Sequence, residues 1–255
     1  MIRARVIPCL LLKGQGLYKT VKFKDPKYVG DPINAVKIFN EKEVDELALL
    51  DISASIDGKR PNFAKIEEIA GECFMPLAYG GGIRSLADIR TLFSIGVEKV
   101  IVNSHAMEHP ELVREAAQFY GSQSIVVSID VKRSLLGRHE VVTHSATRKT
   151  GRDPAQVARD MVAAGAGEIL LNSVDRDGTL QGYDIKLIQS VTSKVEVPVI
   201  ACGGAWTLGH LEEAVKVGGA SAVAAGSMFV FQGKHRAVLV TYPQYRDIKR
   251  IFERK

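Results

Sequence analysis

Cysteine is scarce. Cys9, Cys73 and Cys202 are the only three in 255 residues, and they stand in apolar stretches without the spacing of metal ligands. That excludes a disulfide framework and a structural zinc site, and reads as buried free thiols in a reducing compartment. Cys9 is a weak nucleophile candidate, because no histidine follows it on a recognisable scaffold. No apolar run approaches the roughly 18 residues of a membrane span. Met1-Ile2-Arg3-Ala4-Arg5-Val6-Ile7 runs straight into a strand pattern and reads as no signal peptide, so a cytoplasmic location away from any membrane is expected. Aromatics make up 7% of the chain and do not interleave with a basic run, which argues against nucleic acid. No low-complexity linker divides the chain, so residues 1–255 are expected to form one domain. Nothing calls for a metal or a cofactor, and none is expected.

What is present is an ordinary globular balance, 46% hydrophobic and 25% charged, with a net charge of +5. The positive excess fits a generic basic surface or attraction to an anionic, phosphorylated ligand. Eight short, nearly continuous apolar runs recur, as expected for parallel strands covered on both faces. They are Val6 to Leu12, Leu47 to Asp51, Pro76 to Tyr79, Val100 to Asn103, Ile125 to Asp130, Ile169 to Asn172, Val199 to Ala201 and Ala222 to Ala225. Helical patterns lie between them: Ala35 to Asn40, Phe63 to Cys73, Leu86 to Ile95, Glu111 to Phe119, Pro154 to Ala164, Lys186 to Thr192 and Leu208 to Val217. Tyr245 to Arg254 supplies an eighth. Two stretches break the rhythm. Residues 13–31 read as a long loop after the first strand, and Lys132 to Gly151 as a hairpin-like excursion after the fifth.

The two halves of the chain repeat with an offset of 122 residues, as from Glu46 to Glu168. Pro76 then matches Pro198, Gly81-Gly82 match Gly203-Gly204, and Leu86 matches Leu208. Eight strand–helix units with a half-chain repeat predict an α/β fold, a (β/α)8 barrel built from two half-barrels.

Glycines follow the third strand (Gly80-Gly81-Gly82) and the seventh (Gly203-Gly204); Asn103-Ser104 follow the fourth and Gly226-Ser227 the eighth. Glycine lets backbone N–H groups approach an anion closely. Two such cradles predict a ligand with a phosphate at each end. Asp130 ends the fifth strand and is the general acid or base candidate. Asp177-Gly178 follow the sixth strand, where the aspartate reaches the same volume or simply forms a turn. Asp51 ends the second strand between the cradles. The first half places Leu11 where the second half has Asp130. Arg5, Glu46, Lys99 and Glu168 stand at the N-terminal ends of four strands, either as solvated strand ends or as a self-paired ring.

These segments resemble the cyclase subunit of imidazole glycerol phosphate synthase over nearly the whole chain. Carrying the resemblance are Arg5-Val6-Ile7-Pro8-Cys9-Leu10, Leu50-Asp51-Ile52-Ser53-Ala54-Ser55, Gly80-Gly81-Gly82-Ile83, Ser128-Ile129-Asp130 and Asp175-Arg176-Asp177-Gly178-Thr179. The resemblance implies a glutaminase docked at the barrel bottom and ammonia passing a gate of Arg5, Glu46, Lys99 and Glu168. It also implies a bis-phosphorylated substrate at the mouth, held by Lys19 from the first loop. The family uses two catalytic aspartates. This chain keeps Asp130 and has Leu11 at the other position, with Ile101 for a family serine and Asn172 for a threonine. Changes at the mouth with a preserved bottom resemble the cyclase-like paralogues of bacterial surface-polysaccharide pathways, which act with a glutaminase and a sugar amidotransferase. The alternative is the histidine-pathway cyclase itself. A third reading, the related single-chain sugar-phosphate isomerase, needs no ammonia, so the charged ring argues against it.

Overall fold

A computed structural model describes residues 4–134 and 137–253. Eight parallel strands close on themselves: β1 (Arg5–Lys13), β2 (Leu47–Asp51), β3 (Leu77–Gly80), β4 (Lys99–Val102), β5 (Ile125–Arg133), β6 (Glu168–Ser173), β7 (Val199–Cys202) and β8 (Ala222–Ala225). Each pairs with its successor, and β8 returns to β1 through Arg5↔Ala222 to Pro8↔Ala225. The closed parallel ring is a (β/α)8 barrel.

Helices cover its outside: α1 (Pro32–Glu41), α2 (Phe63–Gly71), α3 (Leu86–Ser94), α4 (Pro110–Tyr120), α5 (Pro154–Ala164), α6 (Ile185–Thr192), α7 (Leu208–Lys216) and α8 (Tyr245–Glu253). Their starts are written in the sequence. Asp31, Asn62, Asp153, Asp184 and Thr207 each accept a backbone N–H of the first turn, and Ser85 with Asp88 forms a reciprocal capping box on α3. Arg254, placed at the end of the last helical pattern, lies outside the described residues, as do Met1 to Arg3. Among the described residues no helix is long and apolar enough to cross a membrane.

Strand alternation divides the core in two. Val6, Leu10 and Leu12 face the helices, while Ile7, Cys9 and Leu11 face the barrel axis with Ala48, Ala78, Ile101, Val126, Leu170, Ile200 and Ala224. The stretch after β1 is not the loop that its lysines suggest. Gly16–Val21 and Lys24–Gly30 form an antiparallel hairpin, and the first of these strands pairs back on β1 through Leu11↔Tyr18 and Leu12↔Leu17. The excursion after β5 is a hairpin: His139–Thr143 runs antiparallel to β5, with Asp130 opposite Val142. Both hairpins rise from the C-terminal end of the barrel and flank its mouth.

Candidate functional site

The mouth is a cleft of ≈ 670 Å³, a size suited to a small-molecule ligand. Both glycine cradles open into it, with Gly81, Gly82, Asn103 and Ser104 at one end and Gly203, Gly204, Gly226 and Ser227 at the other. They belong to strands that stand opposite in the ring. Gly82 has φ +71°, and a Cβ there would lie 2.6 Å from the Lys59 carbonyl oxygen. Gly203 has φ +95°, and its Cβ would lie 2.6 Å from the Ser173 carbonyl oxygen. Only glycine fits either position, which keeps both turns tight and their backbone bare.

Asp130 stands on β5, buried, in the same cleft. Asn103 Nδ2 donates to its Oδ2 at 3.0 Å, and Asn172 Nδ2, from the paired position on β6, donates to its Oδ1 at 3.3 Å. Burial pushes the Asp130 carboxyl up to about 7, against the two amide hydrogen bonds; the negative charge of Asp177 adds to the rise. The group can therefore hold or release a proton near neutrality, as an acid or base requires. Asn172 Oδ1 finds no partner among the described residues.

Lys19 and Asp177 do not stand free in the cleft. Lys19 Nζ lies 3.0 Å from Asp177 Oδ1, both side chains being buried. Thr20 Oγ1 donates to Asp177 Oδ2 at 2.9 Å, and Lys22 N donates to the Asp177 carbonyl oxygen at 2.9 Å. Burial opposes the Lys19 charge, yet Asp177 holds its ammonium above the ordinary value. Gly178 lets this segment meet the hairpin closely, since a Cβ there would lie 2.3 Å from the Thr20 carbonyl oxygen. Asp177 and Gly178 thus clamp the first hairpin over the mouth, beside the Gly226 cradle. Asp51, which also lines the cleft, is anchored through one oxygen: its Oδ1 accepts from Ser53 N (2.9 Å), Ser53 Oγ (2.8 Å) and Ala54 N (3.1 Å).

Opposite Asp130 the inward position of β1 carries Leu11, and the inward positions of β2 and of β4, the strand next to β5, carry Leu50 and Ile101. Arg84, His105 and His144 also line the first cradle's end of the cleft, and the sequence reading did not single them out. Arg84 and His105 follow the cradle residues by one or two positions, a proximity that could have flagged them. His144 sits at φ +52° in the second hairpin, and its N–H donates to Ser104 Oγ at 2.9 Å, a contact no local pattern announces.

At the opposite end the four charges form a closed ring. Arg5 pairs with Glu46 through Nη1 and with Glu168 through Nη2 at 2.8 Å. Lys99 Nζ lies 3.0 Å from Glu46 Oε2 and 3.2 Å from Glu168 Oε2. Signs alternate around the ring. Burial works against the Arg5 charge, but Glu168 and Glu46 together outweigh it and hold its guanidinium above the ordinary value. Above the ring lies a chamber of ≈ 10 Å³, lined by Glu46, Ile7, Ala48, Ala78, Ile101, Val126, Leu170, Ile200 and Ala224. That is about the room of a single water-sized molecule.

The sequence comparisons agree with this architecture. A family model described as "Histidine biosynthesis protein" matches residues 5–236. A Pseudomonas aeruginosa protein provisionally named imidazole glycerol phosphate synthase subunit hisF2 is 56% identical over 97% of this chain and 99% of its own length. A Leptospira borgpetersenii protein provisionally named subunit HisF is 50% identical over 99% of this chain and 100% of its own. A Vibrio vulnificus protein provisionally named subunit hisF3 is 46% identical over 99% of this chain and 98% of its own. The barrel, its two-ended cleft and these matches place the chain in the histidine biosynthesis protein family, among the HisF-type cyclase subunits of imidazole glycerol phosphate synthase.

Proposed function

We propose that this chain is the barrel subunit of a glutamine-dependent amidotransferase system in the cytoplasm. A HisH-type glutaminase docks at the bottom of the barrel and releases ammonia there. Ammonia passes the ring of Arg5, Glu46, Lys99 and Glu168, crosses the apolar axis and leaves at the mouth. A phosphorylated small molecule occupies the mouth, held by the two cradles. At a sugar amidotransferase the ammonia nitrogen bonds to the acetyl carbon of an N-acetyl group on a surface-polysaccharide sugar, the carbonyl C–O bond breaks with the oxygen leaving as water, and an acetamidino group results.

One observation carries the reading: the charged ring is complete, while the mouth sets Leu11 across from Asp130. A ring of two acids and two bases stays neutral and excludes bulk water. Ammonia is small and uncharged, and the chamber above the ring has room for one such molecule. Cyclisation chemistry with paired acid–base groups needs a second carboxylate, and leucine cannot transfer a proton. Asp177 does not replace it, because its oxygens are taken by Lys19 and Thr20. The retention of both cradles favours a second reading, the cyclase of histidine biosynthesis working through Asp130.

The test is a reconstitution with the co-encoded glutaminase and sugar amidotransferase. Glutamine labelled with 15N in the amide is supplied together with excess unlabelled ammonia. Label retained in the product is the expected result. Full dilution of the label, or failure of the glutaminase to bind, defeats the conduit. Cyclase turnover of the bis-phosphorylated ribonucleotide with free ammonia would establish the second reading.

A further inference from the structure

Resting on the reading of the mouth as a site for a phosphorylated small molecule, we infer that this ligand carries an aliphatic or acyl group, packed on a wall of Leu11, Leu50, Ile52 and Ile101. In the inward layer of the cleft the apolar and polar side chains fall on different strands, while Asp51, Asn103 and Ser104 at the strand ends keep the first cradle polar. The β5–β7 side presents Asp130, Asn172 and Cys202. The side built by β1, β2 and β4 presents Leu11 and Ile101, 8% and 5% exposed, with the half-buried Leu50 and Ile52. These four are continuous with the apolar cluster that fills the barrel axis, yet all of them line the open cleft. Ile56, 61% exposed, carries the aliphatic surface out to the rim.

The wall is preformed. Gly80 lies between Leu50 and Ile101 on β3 and also lines the cleft; a Cβ on it would lie 3.0 Å from both Ile101 Cβ and Leu50 Cδ2, so the two side chains close over the bare glycine from either side. The four wall side chains carry no polar group of their own. The Asp51 carboxylate beside it accepts from Ser53 and Ala54. A ligand hydroxyl pressed against Leu11 and Ile101 would lose its water without replacement, which is unfavourable. A molecule with hydroxyls on both flanks therefore fits poorly. One with hydrogen-bonding groups towards Asp130 and Asn172 and an aliphatic flank towards Leu11 matches both walls. Each methylene buried on the wall should tighten binding about fourfold.

Calorimetric titration of the full chain with inorganic phosphate, then methyl, ethyl, propyl and butyl phosphate, tests this. Affinity is expected to rise about fourfold per methylene. Leu11→Asn and Ile101→Ser should flatten that rise while leaving inorganic phosphate binding within about twofold. Methyl NMR on the unmodified protein gives a readout independent of the variants' folding. Butyl phosphate should shift the Leu11, Leu50, Ile52 and Ile101 methyl signals, and inorganic phosphate should not. A flat series with inorganic phosphate bound overturns the aliphatic flank and leaves the phosphate site standing. A rise that persists in both variants, or methyl signals that do not move, also overturns it. If no phosphate binds at all, both readings of the mouth fall, while the conduit at the barrel bottom is judged separately by the 15N experiment.

Discussion

Lys19 Nζ stands 3.0 Å from Asp177 Oδ1, joining the hairpin after β1 to the turn after β6 across 158 residues of sequence. Both partners are buried, so removing one leaves the other charge uncompensated. Asp177→Ala is expected to cost about 3–5 kcal/mol of stability, and Asp177→Leu combined with Lys19→Met much less. Urea unfolding measures the cost. Amide hydrogen exchange should quicken across Gly16 to Gly30 in the single variant, because Thr20 Oγ1 and the Phe23 N–H lose their carboxylate partner as well, while the Lys22 bond to the backbone carbonyl remains. Unchanged exchange there would show that the hairpin is held by its pairing with β1 alone.

The raised carboxyl of Asp130 makes stability depend on pH in a direction opposite to most acids. Its folded value is about 7, against an ordinary carboxylate value of 3.8. Below the unfolded value the group is neutral in both states and contributes nothing. As pH rises through that value the unfolded chain ionises first, so the folded state loses stability up to about pH 7 and stays penalised above it. Three units amount to roughly 4 kcal/mol. Asp130→Asn should therefore stabilise the protein by a few kcal/mol at pH 8 and by almost nothing at pH 4. Asp184 runs the other way. His139, Leu187 N–H and Arg133 outweigh its burial and hold it far below the ordinary value, so its contribution is present above the unfolded value and lost as pH falls below it. Comparing wild type with Asp130→Asn at each pH cancels the Asp184 term. A difference that does not grow between pH 4 and pH 8 would contradict the raised value.

What the sequence made legible follows from which signals are local. The barrel strands were readable because both faces are covered, so their residues are apolar in unbroken runs; Val6 to Leu12 is the clearest. The hairpin after β1 was read as loop because Lys24–Gly30 is mostly exposed and its turn is made by Lys22 and Phe23 at φ +54° and +63°, without the usual Gly or Asn. The cradle glycines could be placed at strand ends from the repeat, and the four ring charges from the starts of the apolar runs. Their pairings could not. Arg5 meets Glu168 across 163 residues, and Asp130 takes two amide donors from Asn103 and Asn172 on the two flanking strands. Asp51 lines the cleft as its strand-end position implies, but that its Oδ1 would be tied to Ser53 and Ala54 was not legible in advance.

Leu11 sets the third expectation. With free ammonia and the bis-phosphorylated ribonucleotide, the wild-type chain should show no cyclase turnover or very little, since losing one of two acid–base groups costs about 10²- to 10⁴-fold. Leu11→Asp restores a carboxylate on β1, opposite Asp130, and should recover part of the loss. Recovery will be partial, because Ile101 and Leu50 surround the new group and burial will hold part of it protonated. Steady-state assays of both proteins decide it. Wild-type turnover equal to that of a two-aspartate cyclase would refute the expectation and favour the histidine-pathway reading.

The ring provides the last. Lys99 bridges Glu46 and Glu168, and Arg5 bridges the same pair from the other side. Lys99→Ala leaves two carboxylates to one guanidinium, and Glu46→Ala leaves two cations to one carboxylate. Either change should cost about 3–5 kcal/mol if the remaining charges stay dry, and less where water enters. Water entry is the functional point, since a wetted ring lets ammonia escape or pick up a proton before it reaches the chamber. Each variant is first checked for folding and for capture of the glutaminase. Product formation is then compared with glutamine and with free ammonia as nitrogen source. Glutamine-driven formation should fall about tenfold or more, equivalent to about 1.4 kcal/mol in the barrier, while ammonia-driven formation stays near wild type. Equal loss with both sources in a folded, glutaminase-bound variant would mean that the ring only braces the barrel, and the conduit would have to be abandoned.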